Sequence, residues 1–535
     1  MSDFTILRFQ DCNRSVLEGW KTQKKWIFLW ACAILLFFWN LGTGAVQTVQ
    51  EGNLFYRVMC ILKYDTPLTT PPYLPVFFSC PLGIANELSV RFASAVAGLI
   101  ALGAVISIAR RLFGTGTALA SGWILLTTYG VIHYARLAGP DMLQAAFAAA
   151  SVACYLRTRE NNSFRNWCGV WILAALGVIE GTATVLLFPV LAMLLDSRSY
   201  RTWRTWKWLA GLLPGALLLA WPVLHTGEWL FYFKFRSMPV DLLGLFPLLL
   251  PWTPLTVLAV LHGIFSRKTL SDPEKWLYRM LLGGAFISLL LFHSAVTLIP
   301  YCVILCGAFL AGEARSMMKV LTRLLLMLTD VLIPAAAVVC FAAPFLFRWL
   351  APERHYPNSF VGLFYFGLPV LALCLIVWLF VMRYRKRRGK PGFGIFVEPV
   401  ADRWIVPLYV MMLLLYAMVF PLMQTSPLFR GERTFCQQLR ALALEQFHFQ
   451  PEAIIVEEGP MRDTYCFLLD LPSEPGTEVK PCGLLLLDRK SGTKAPGEGW
   501  IKFETPEHLG GDIRYDAYIY PSFKQVEESV KGDVE

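Results

Sequence analysis

The sequence predicts a helical integral membrane protein that crosses the bilayer many times. Of its 535 residues, 56% are hydrophobic and only 16% are charged, whereas a soluble protein has about 25% charged residues. Apolar runs of about 20 residues, the length that a helix needs to cross the hydrocarbon core, recur along the chain. The expected fold class is therefore an all-α polytopic membrane protein with about 13 transmembrane helices, followed by a small exported α/β domain.

Hydropathy places each predicted transmembrane helix on one apolar run. These runs lie near 27–45, 88–109, 117–134, 142–156, 167–181, 183–196, 208–225, 243–265, 280–297, 299–312, 324–345, 360–382 and 405–423. They divide the chain into a cytoplasmic N-terminus (1–25), a transmembrane domain (26–423) and an extracytoplasmic soluble domain (424–535). No small-residue cleavage site follows the first run, so we expect it to be a retained signal-anchor.

Lysine and arginine orient these helices, because basic loops stay in the cytoplasm. Every second loop is basic, from Arg110-Arg111 to the run Arg383–Lys390. With an odd number of helices and a basic N-terminus inside, the C-terminus lies outside. Residues 424–535 contain 12 Lys and Arg against 19 Asp and Glu, a charge of −7, which leaves +17 on the rest. This division fits membrane topology, and no alternation of basic and aromatic residues indicates a nucleic-acid partner.

The exported segment has the pattern of a small α/β domain. A helical pattern at Glu432–Phe447 is followed by short apolar runs at Ala453–Val456 and Leu484–Leu487, which are typical of strands. In an oxidising compartment, Cys60 with Cys80, or a pair among Cys436, Cys466 and Cys482, could form a disulfide. No Cys/His spacing indicates a metal site.

The segment His133–Met142 contains an unusual carboxylate. Asp141 lies between two apolar runs, where a charge is costly unless it faces water or a partner. A structural interpretation is that Gly139-Pro140 breaks the chain and Asp141 caps the next helix. A functional interpretation is that Asp141 belongs to a site on the outer face.

Several motifs favour the functional interpretation. They are Arg91–Gly98, Ala109–Gly114, Ala135–Met142, Leu250–Pro254 (Leu-Pro-Trp-Thr-Pro) and the weaker Ile299–Tyr301. Together they resemble the C-type membrane glycosyltransferases that use polyprenyl-phosphate sugars. That group includes the protein O-mannosyltransferases and the transferase that adds aminoarabinose to lipid A. Helix count, orientation and an exported C-terminal domain agree with the aminoarabinose-transferase branch.

The resemblance implies a cell-envelope enzyme, and no ligand pattern in the sequence indicates a cofactor. It would transfer a sugar from an undecaprenyl- or dolichyl-phosphate carrier to a lipid, glycan or protein acceptor on the outer face. A carboxylate would activate the acceptor, and cations would stabilise the departing lipid phosphate. By position, Glu51 and Asp141 would be the catalytic acids, with Glu51 the candidate base and Asp141 positioning the acceptor or donor.

The chain departs from the family pattern at four positions. An early Asp-Glu pair has become Gln50-Glu51, and Thr70 replaces a lysine before a Pro-Pro pair. A Lys-Gly has become Glu180-Gly181, and the connection Ser294–Tyr301 contains no lysine. The cations would then come from other outer-face residues, or the donor would differ, or the protein would no longer catalyse transfer.

The remaining candidates are outer-face residues that could bind substrate. The expected substrate-binding set is Arg57, Lys63, Arg91, His133, Arg136 and Tyr301, and Lys234 and Arg236 are further possible cations. Each also has a structural interpretation: arginines can anchor at the interface or neutralise Asp141, and histidine can form an ordinary buried hydrogen bond.

Two alternative functions remain at this point. A non-catalytic relative would bind lipid-linked glycan or act as a scaffold for a partner. A transporter is less favoured, since no paired broken helices carry charges at corresponding positions of two halves. Catalysis requires that Glu51, Asp141 and at least one outer-face cation lie together.

Overall fold

The structure is a computed structural model of the chain. It describes residues 23–42, 49–64, 73–82, 86–196, 205–226, 244–265, 270–290, 295–311, 405–414, 416, 435–441, 454–456, 462–471, 483–488, 500–503 and 515–520. The predicted spans at 324–345 and 360–382 lie outside these residues, so the count of 13 stays a prediction. The same holds for the cytoplasmic placement of 1–25 and the exported placement of 424–535.

The described part of the chain is mostly helical. Its helices are α1 (23–38), α2 (Val49–Lys63), α3 (Tyr73–Ser79), α4 (Glu87–Phe113), α5 (Thr115–Leu126), α6 (Tyr129–Arg136), α7 (Pro140–Glu160), α8 (Phe164–Ile179), α9 (Leu187–Leu194), α10 (Lys207–Thr226), α11 (Leu245–Leu248), α12 (Thr253–Phe265), α13 (Asp272–Leu290), α14 (Ile299–Ala311), α15 (Ile405–Leu414), α16 (435–441) and α17 (Arg462–Leu469). Short 3₁₀ turns at Cys80–Leu82, Ala183–Leu186 and Ala295–Leu298 precede or follow some of them.

Among the described helices, α4 alone is continuous, long and apolar enough to cross a bilayer by itself. The pair α6 and α7 reaches that length together but bends by 117° between them. Pro140 at the first position of α7 explains the bend, since proline fits the first turn of a helix but cannot continue one from before it. Shorter apolar helices lie on the predicted spans 117–134, 167–181, 183–196, 208–225, 243–265 and 299–312.

The predicted span 117–134 is divided into α5 and α6 by Thr127 and Thr128. Both hydroxyls donate to carbonyls of the last turn of α5, Thr127 to Trp123 at 2.8 Å and Thr128 to Ile124 at 2.6 Å. Trp252 of the Leu-Pro-Trp-Thr-Pro motif donates its indole N–H to Thr127 Oγ1 at 2.8 Å. The motif therefore stabilises a break in a neighbouring helix, where freed polar groups must find partners.

Small residues let the central helices pack closely around α4. Its buried face is rich in alanine, and a Cβ on Gly98 would lie 2.9 Å from Ala135 Cβ and 3.1 Å from a ring carbon of Phe37. Such close approach is typical of helix packing in membranes. α4 thereby brings α1, α6 and α7 together at one end of the bundle.

The C-terminal part contains a four-stranded sheet with the order β1-β2-β4-β3. Its strands are β1 (Ile454–Val456), β2 (Gly483–Asp488), β3 (Ile501–Lys502) and β4 (Tyr515–Tyr520). β1 and β2 are parallel, with Ile455 opposite Leu485, and the other pairs are antiparallel. β1 and β2 coincide with the two predicted strand runs. Cys60 and Cys80 are free thiols in the structure, so the disulfide considered between them is not formed. Cys482 lies outside the described residues, and a pair among Cys436, Cys466 and Cys482 stays a prediction.

α2 lies between the membrane helices and the C-terminal part. Phe55 and Val58 pack with Val76, Val90 and Ala138 of the helical body. Phe55 also stacks on Phe467 of α17, with ring centroids 4.9 Å apart. α2 is therefore packed against the helical body on one side and against α17 on another.

Candidate functional site

The candidate site is built around a buried ion pair between Glu51 and Arg91. Glu51 is in the first turn of α2 and Arg91 is near the start of α4, and the two residues are 0% and 1% exposed. Arg91 Nε donates to Glu51 Oε1 at 2.7 Å, and one of its terminal nitrogens donates to Oε2 at 3.2 Å. This two-point geometry is the strongest form of an arginine–carboxylate pair.

Further contacts join the ion pair to the Asp141 segment. Glu51 Oε1 also accepts the backbone N–H of Ala138 at 3.1 Å. The Ser94 hydroxyl of α4 donates to the Gly139 carbonyl at 3.4 Å. Arg91 additionally lies over the ring of Phe55, with 5.6 Å from Cζ to the centroid. The structure thus brings Glu51 and Arg91 to the start of α7, beside Asp141.

Asp141 is the partly exposed carboxylate of this region. It occupies the first turn of α7, and no hydrogen bond or ion pair to its side chain occurs within the described ranges. Gly139 is the N-cap of α7 and no side chain caps the helix, so Asp141 does not fill the capping role. A negative charge in a first helical turn is favourable, since the helix N-terminus is electropositive.

Arg136 binds the end of α1. One terminal nitrogen donates to the carbonyl of Leu36 at 2.7 Å and to that of Phe37 at 3.5 Å, and the other donates to Asn40 at 3.3 Å. The last carbonyls of a helix have no partner within the helix. Arg136, 6% exposed, satisfies them, which is a positioning role that the sequence did not indicate.

Lys63 and Arg57 lie on the C-terminal half of α2 and face α17. Lys63 Nζ is 2.6 Å from Asp470 Oδ2, and this partner raises the pKa of Lys63 although partial burial alone would lower it. Arg57 is exposed. Burial raises the pKa of the Asp463 carboxyl, and the positive charge of Arg57 partly opposes that rise. Lys63 therefore holds the C-terminal part, and Arg57 is the more accessible cation.

The other two candidates differ in exposure. His133 is partly exposed, stacked on Tyr129 at 5.5 Å between centroids and edge-on to Tyr134 at 5.2 Å. Tyr301 is 0% exposed, stacks on Phe188 at 6.0 Å, and its hydroxyl forms no hydrogen bond within the described part of the chain. In this conformation Tyr301 has no surface for a ligand, and we leave it out of the proposed site. Lys234 and Arg236 lie outside the described residues.

The contacts of Glu180 explain one departure from the family pattern. It is 4% exposed and accepts the backbone N–H of Leu74 at 2.6 Å, in the first turn of α3. A carboxylate suits this place because it binds an orphan N–H and the positive end of a helix. The reversed charge therefore has a structural partner within the protein, which the sequence did not reveal.

We expect Glu180→Ala to lower the free energy of unfolding by about 1–3 kcal/mol, because a buried N–H would lose its acceptor. Glu180→Gln keeps an acceptor oxygen and should cost less. Glu180→Lys should cost the most, since it places a cation beside the helix N-terminus. Equilibrium unfolding in mixed detergent micelles measures the three values. Equal stability of the Ala and Gln variants would contradict the assignment.

A second structural contact lies beside Glu51. A Cβ on Gly52 would overlap the Thr464 hydroxyl of α17 and lie 3.2 Å from Thr464 Cα. We therefore expect Gly52→Val to separate α17 from α2, at a cost of about 1–3 kcal/mol for overpacking. The readout is the rate of hydrogen–deuterium exchange at the backbone amides of α17 (Arg462–Leu469).

The rate should rise at least several-fold in the Gly52→Val variant. Gly116→Val is the matched control, since a Cβ there would meet nothing within 4 Å. Unchanged amide exchange of α17 in the Gly52 variant would show that the close approach does not hold α17 in place.

No group of three or more potential metal ligands occurs in the part of the chain that the structure describes. The carboxylates of the candidate site are instead partnered by arginine and backbone groups, or face outward.

Comparison with solved structures identifies the fold. ArnT from Cupriavidus metallidurans bound to undecaprenyl phosphate matches with a TM-score of 0.66 and 16% identity, over 93% of this chain and 98% of that one. ArnT in the apo state matches with the same score, 15% identity, and 94% and 98% coverage. Arabinosyltransferase EmbB from Mycobacterium smegmatis overlaps less, with a TM-score of 0.43, 13% identity, and 76% and 42% coverage.

The chain thus has the membrane fold of the C-type glycosyltransferases, as its motifs predicted. Residues 65–225 match the family model described as dolichyl-phosphate-mannose-protein mannosyltransferase. This range contains Arg91, Arg136 and Asp141 but not Glu51. None of the curated protein sequences compared with the chain matches it.

Proposed function

We propose that this protein is a membrane glycosyltransferase that moves a sugar from a polyprenyl-phosphate carrier to a lipid, glycan or protein acceptor on the outer face of the membrane. The observation that carries the proposal is the junction of Glu51, Arg91 and the Asp141 segment at the ends of α4 and α7. The ArnT fold supports it, because ArnT from Cupriavidus metallidurans binds undecaprenyl phosphate. The family model is named for a dolichyl-phosphate sugar.

Asp141 is the proposed acceptor-activating group. The acceptor oxygen would bond to the anomeric carbon while the bond from that carbon to the phosphate oxygen breaks, with inversion. The acceptor proton would pass to the Asp141 carboxylate, and the lipid phosphate would leave as an anion. Partial exposure and the lack of a described partner suit Asp141 to this role, which requires direct contact with substrate.

Glu51 takes a different role from the base expected from the sequence. It is fully buried and accepts two hydrogen bonds from Arg91 and one from Ala138. A carboxylate held in this way does not reach an acceptor, so we propose that Glu51 positions Arg91 and the Asp141 segment.

The departing phosphate needs a cation, since electrostatic stabilisation of developing charge is a major part of catalysis. Arg57 is exposed on α2, the helix that carries Glu51. We propose Arg57 for this role, with Lys234 and Arg236 as further candidates. His133, partly exposed in the last turn of α6, is proposed to contact the sugar or acceptor.

A second candidate function is a relative that binds lipid-linked glycan without transferring it. Two observations favour it: Glu180 is occupied by α3, and Glu51 is occupied by Arg91. Both positions would then serve the fold alone, and the missing lysines would not need replacement.

The deciding experiment incubates the purified full chain, in lipid vesicles, with a panel of radiolabelled undecaprenyl- and dolichyl-phosphate sugars. Release or transfer of label from any donor supports the transferase. Binding of a donor without its consumption supports the non-catalytic alternative. If no polyprenyl-phosphate sugar binds, both proposals are overturned.

A further inference from the structure

A separate cavity of about 590 Å³ lies at the opposite end of α4 and α7 from the candidate site. Its lining comes from the last residues of α4, α7 and α9 and the first turns of α13: Arg111, Leu112, Leu156, Arg159, Glu160, Leu195, Asp196, Asp272, Pro273, Lys275, Trp276 and Arg279. We call it the inner-face cavity, since the basic loops at this end predict a cytoplasmic location.

The two sites are separated by the full length of the helices between them. α4 has 27 residues and α7 has 21. At about 1.5 Å per residue these helices are about 40 and 30 Å long. The inner-face cavity is therefore a hydrocarbon thickness away from Asp141 and is no part of the transferase site.

The acids of the inner-face cavity are already neutralised by its cations. The ion pairs are Arg111 with Glu160, Arg159 with Asp196 at 3.1 Å, and Lys275 with Asp272 at 3.9 Å. Asp196 also accepts the hydroxyl of Tyr155 at 2.9 Å. With four cations and three acids the lining has one positive charge in excess, and Arg279 is the cation that no acid of the lining pairs with.

One face of α13 carries charged residues in its first turns and exposed apolar residues further along. Lys275, Arg279, Leu282 and Phe286 follow one another at intervals of four, three and four residues, which places them on one side of the helix. Arg279 is exposed, and Leu282 and Phe286 are 67% and 61% exposed. A cationic cavity thus opens onto an apolar stripe that runs into the predicted bilayer.

We infer that the inner-face cavity binds the headgroup of an anionic glycerophospholipid, with an acyl chain along Leu282 and Phe286. Arg279 binds the lipid phosphate, and the paired cations of the lining shape the pocket around it. Basic pockets between membrane helices on the cytoplasmic side are suited to anionic headgroups. The apolar stripe favours a lipid over a soluble phosphate, which would leave Leu282 and Phe286 uncovered.

The test is native mass spectrometry of the purified full chain, titrated with phosphatidylglycerol or with phosphatidylcholine of the same acyl chains. We expect tighter binding of phosphatidylglycerol. Arg279→Gln should weaken it about fivefold, the contribution of one cation near an anionic lipid. The same change should weaken phosphatidylcholine less, because the choline cation of that lipid offsets its phosphate charge. Arg440→Gln, which removes an exposed arginine of α16, is the matched control and should change nothing.

A second arm separates the lipid from its soluble headgroup. Leu282→Gln should weaken phosphatidylglycerol binding without affecting glycerol 3-phosphate, which should compete poorly. Equal affinity for the two lipids, or unchanged affinity in the Arg279 variant, would overturn the proposal. So would competition by glycerol 3-phosphate as strong as that by the lipid.

Discussion

Replacing Arg91 with methionine is expected to lower the free energy of unfolding by about 3–5 kcal/mol, because it leaves a fully buried carboxylate without its ionic partner. Glu51 would keep only the Ala138 N–H among its described acceptor contacts with the helical body. The Leu41 carbonyl would lose the Arg91 hydrogen bond of 3.1 Å as well. Equilibrium unfolding in mixed detergent micelles measures the loss.

Two further variants test whether the loss comes from the pair. Arg91→Lys keeps the charge but not the two-point geometry, so it should cost less than methionine and still be destabilising. The double change Glu51→Leu with Arg91→Met removes both charges and should be more stable than Arg91→Met alone. If the double variant loses as much as the sum of the singles, the two side chains are not coupled and the ion pair does not hold the site.

Asp141→Asn is expected to reduce sugar transfer about 10²- to 10⁴-fold, the usual contribution of a general base, while the protein stays folded. The variant should stay folded because no described contact depends on the Asp141 carboxylate. The amide is the same size, but it cannot accept the acceptor proton. The readout is the initial rate of label transfer from the best donor of the panel, together with donor affinity.

Asp516→Asn is the control for this prediction, since Asp516 pairs with Lys502 on the C-terminal sheet at 3.5 Å. It should leave transfer unchanged. Transfer by the Asp141 variant at the full rate would remove Asp141 from the chemistry. If the free energy of unfolding of the Asp141 variant fell together with the transfer rate, the role of Asp141 would be structural instead.

The membrane fold was predictable from the sequence because the apolar runs have the length that a helix needs to cross the bilayer. The positions of β1 and β2 in the C-terminal part followed from short apolar runs between turns, whereas β3 and β4 were not predicted. The break between α5 and α6 was not predictable, because the residues that cause it are threonines, which are polar but common within apolar runs. Only their hydroxyl bonds to the preceding turn, and the distant Trp252, show that the helix ends there.

Of the residues that the sequence proposes for the site, Glu51 and Arg91 contact each other, and Glu51 also contacts the segment that precedes Asp141. These contacts were not predictable, because the partner of each charge depends on packing. Arg136 was a candidate phosphate ligand and binds carbonyls of α1 instead. Glu180 reverses the charge of the family pattern, and the structure shows that it accepts the Leu74 N–H at the start of α3. The role of a charged residue depends on the groups that surround it in space, and the sequence alone does not give them.

The hydrogen bonds at the end of α1 also set an order of assembly. The carbonyls of Leu36, Phe37, Asn40 and Leu41 accept hydrogen bonds from the side chains of Arg136 and Arg91, which lie 50 to 100 positions further along the chain. During synthesis the first helix enters the membrane long before either arginine is made. Until then, water must solvate those carbonyls. The outer end of the first helix therefore reaches its final form only after the third predicted span is inserted, and these segments mature as one unit.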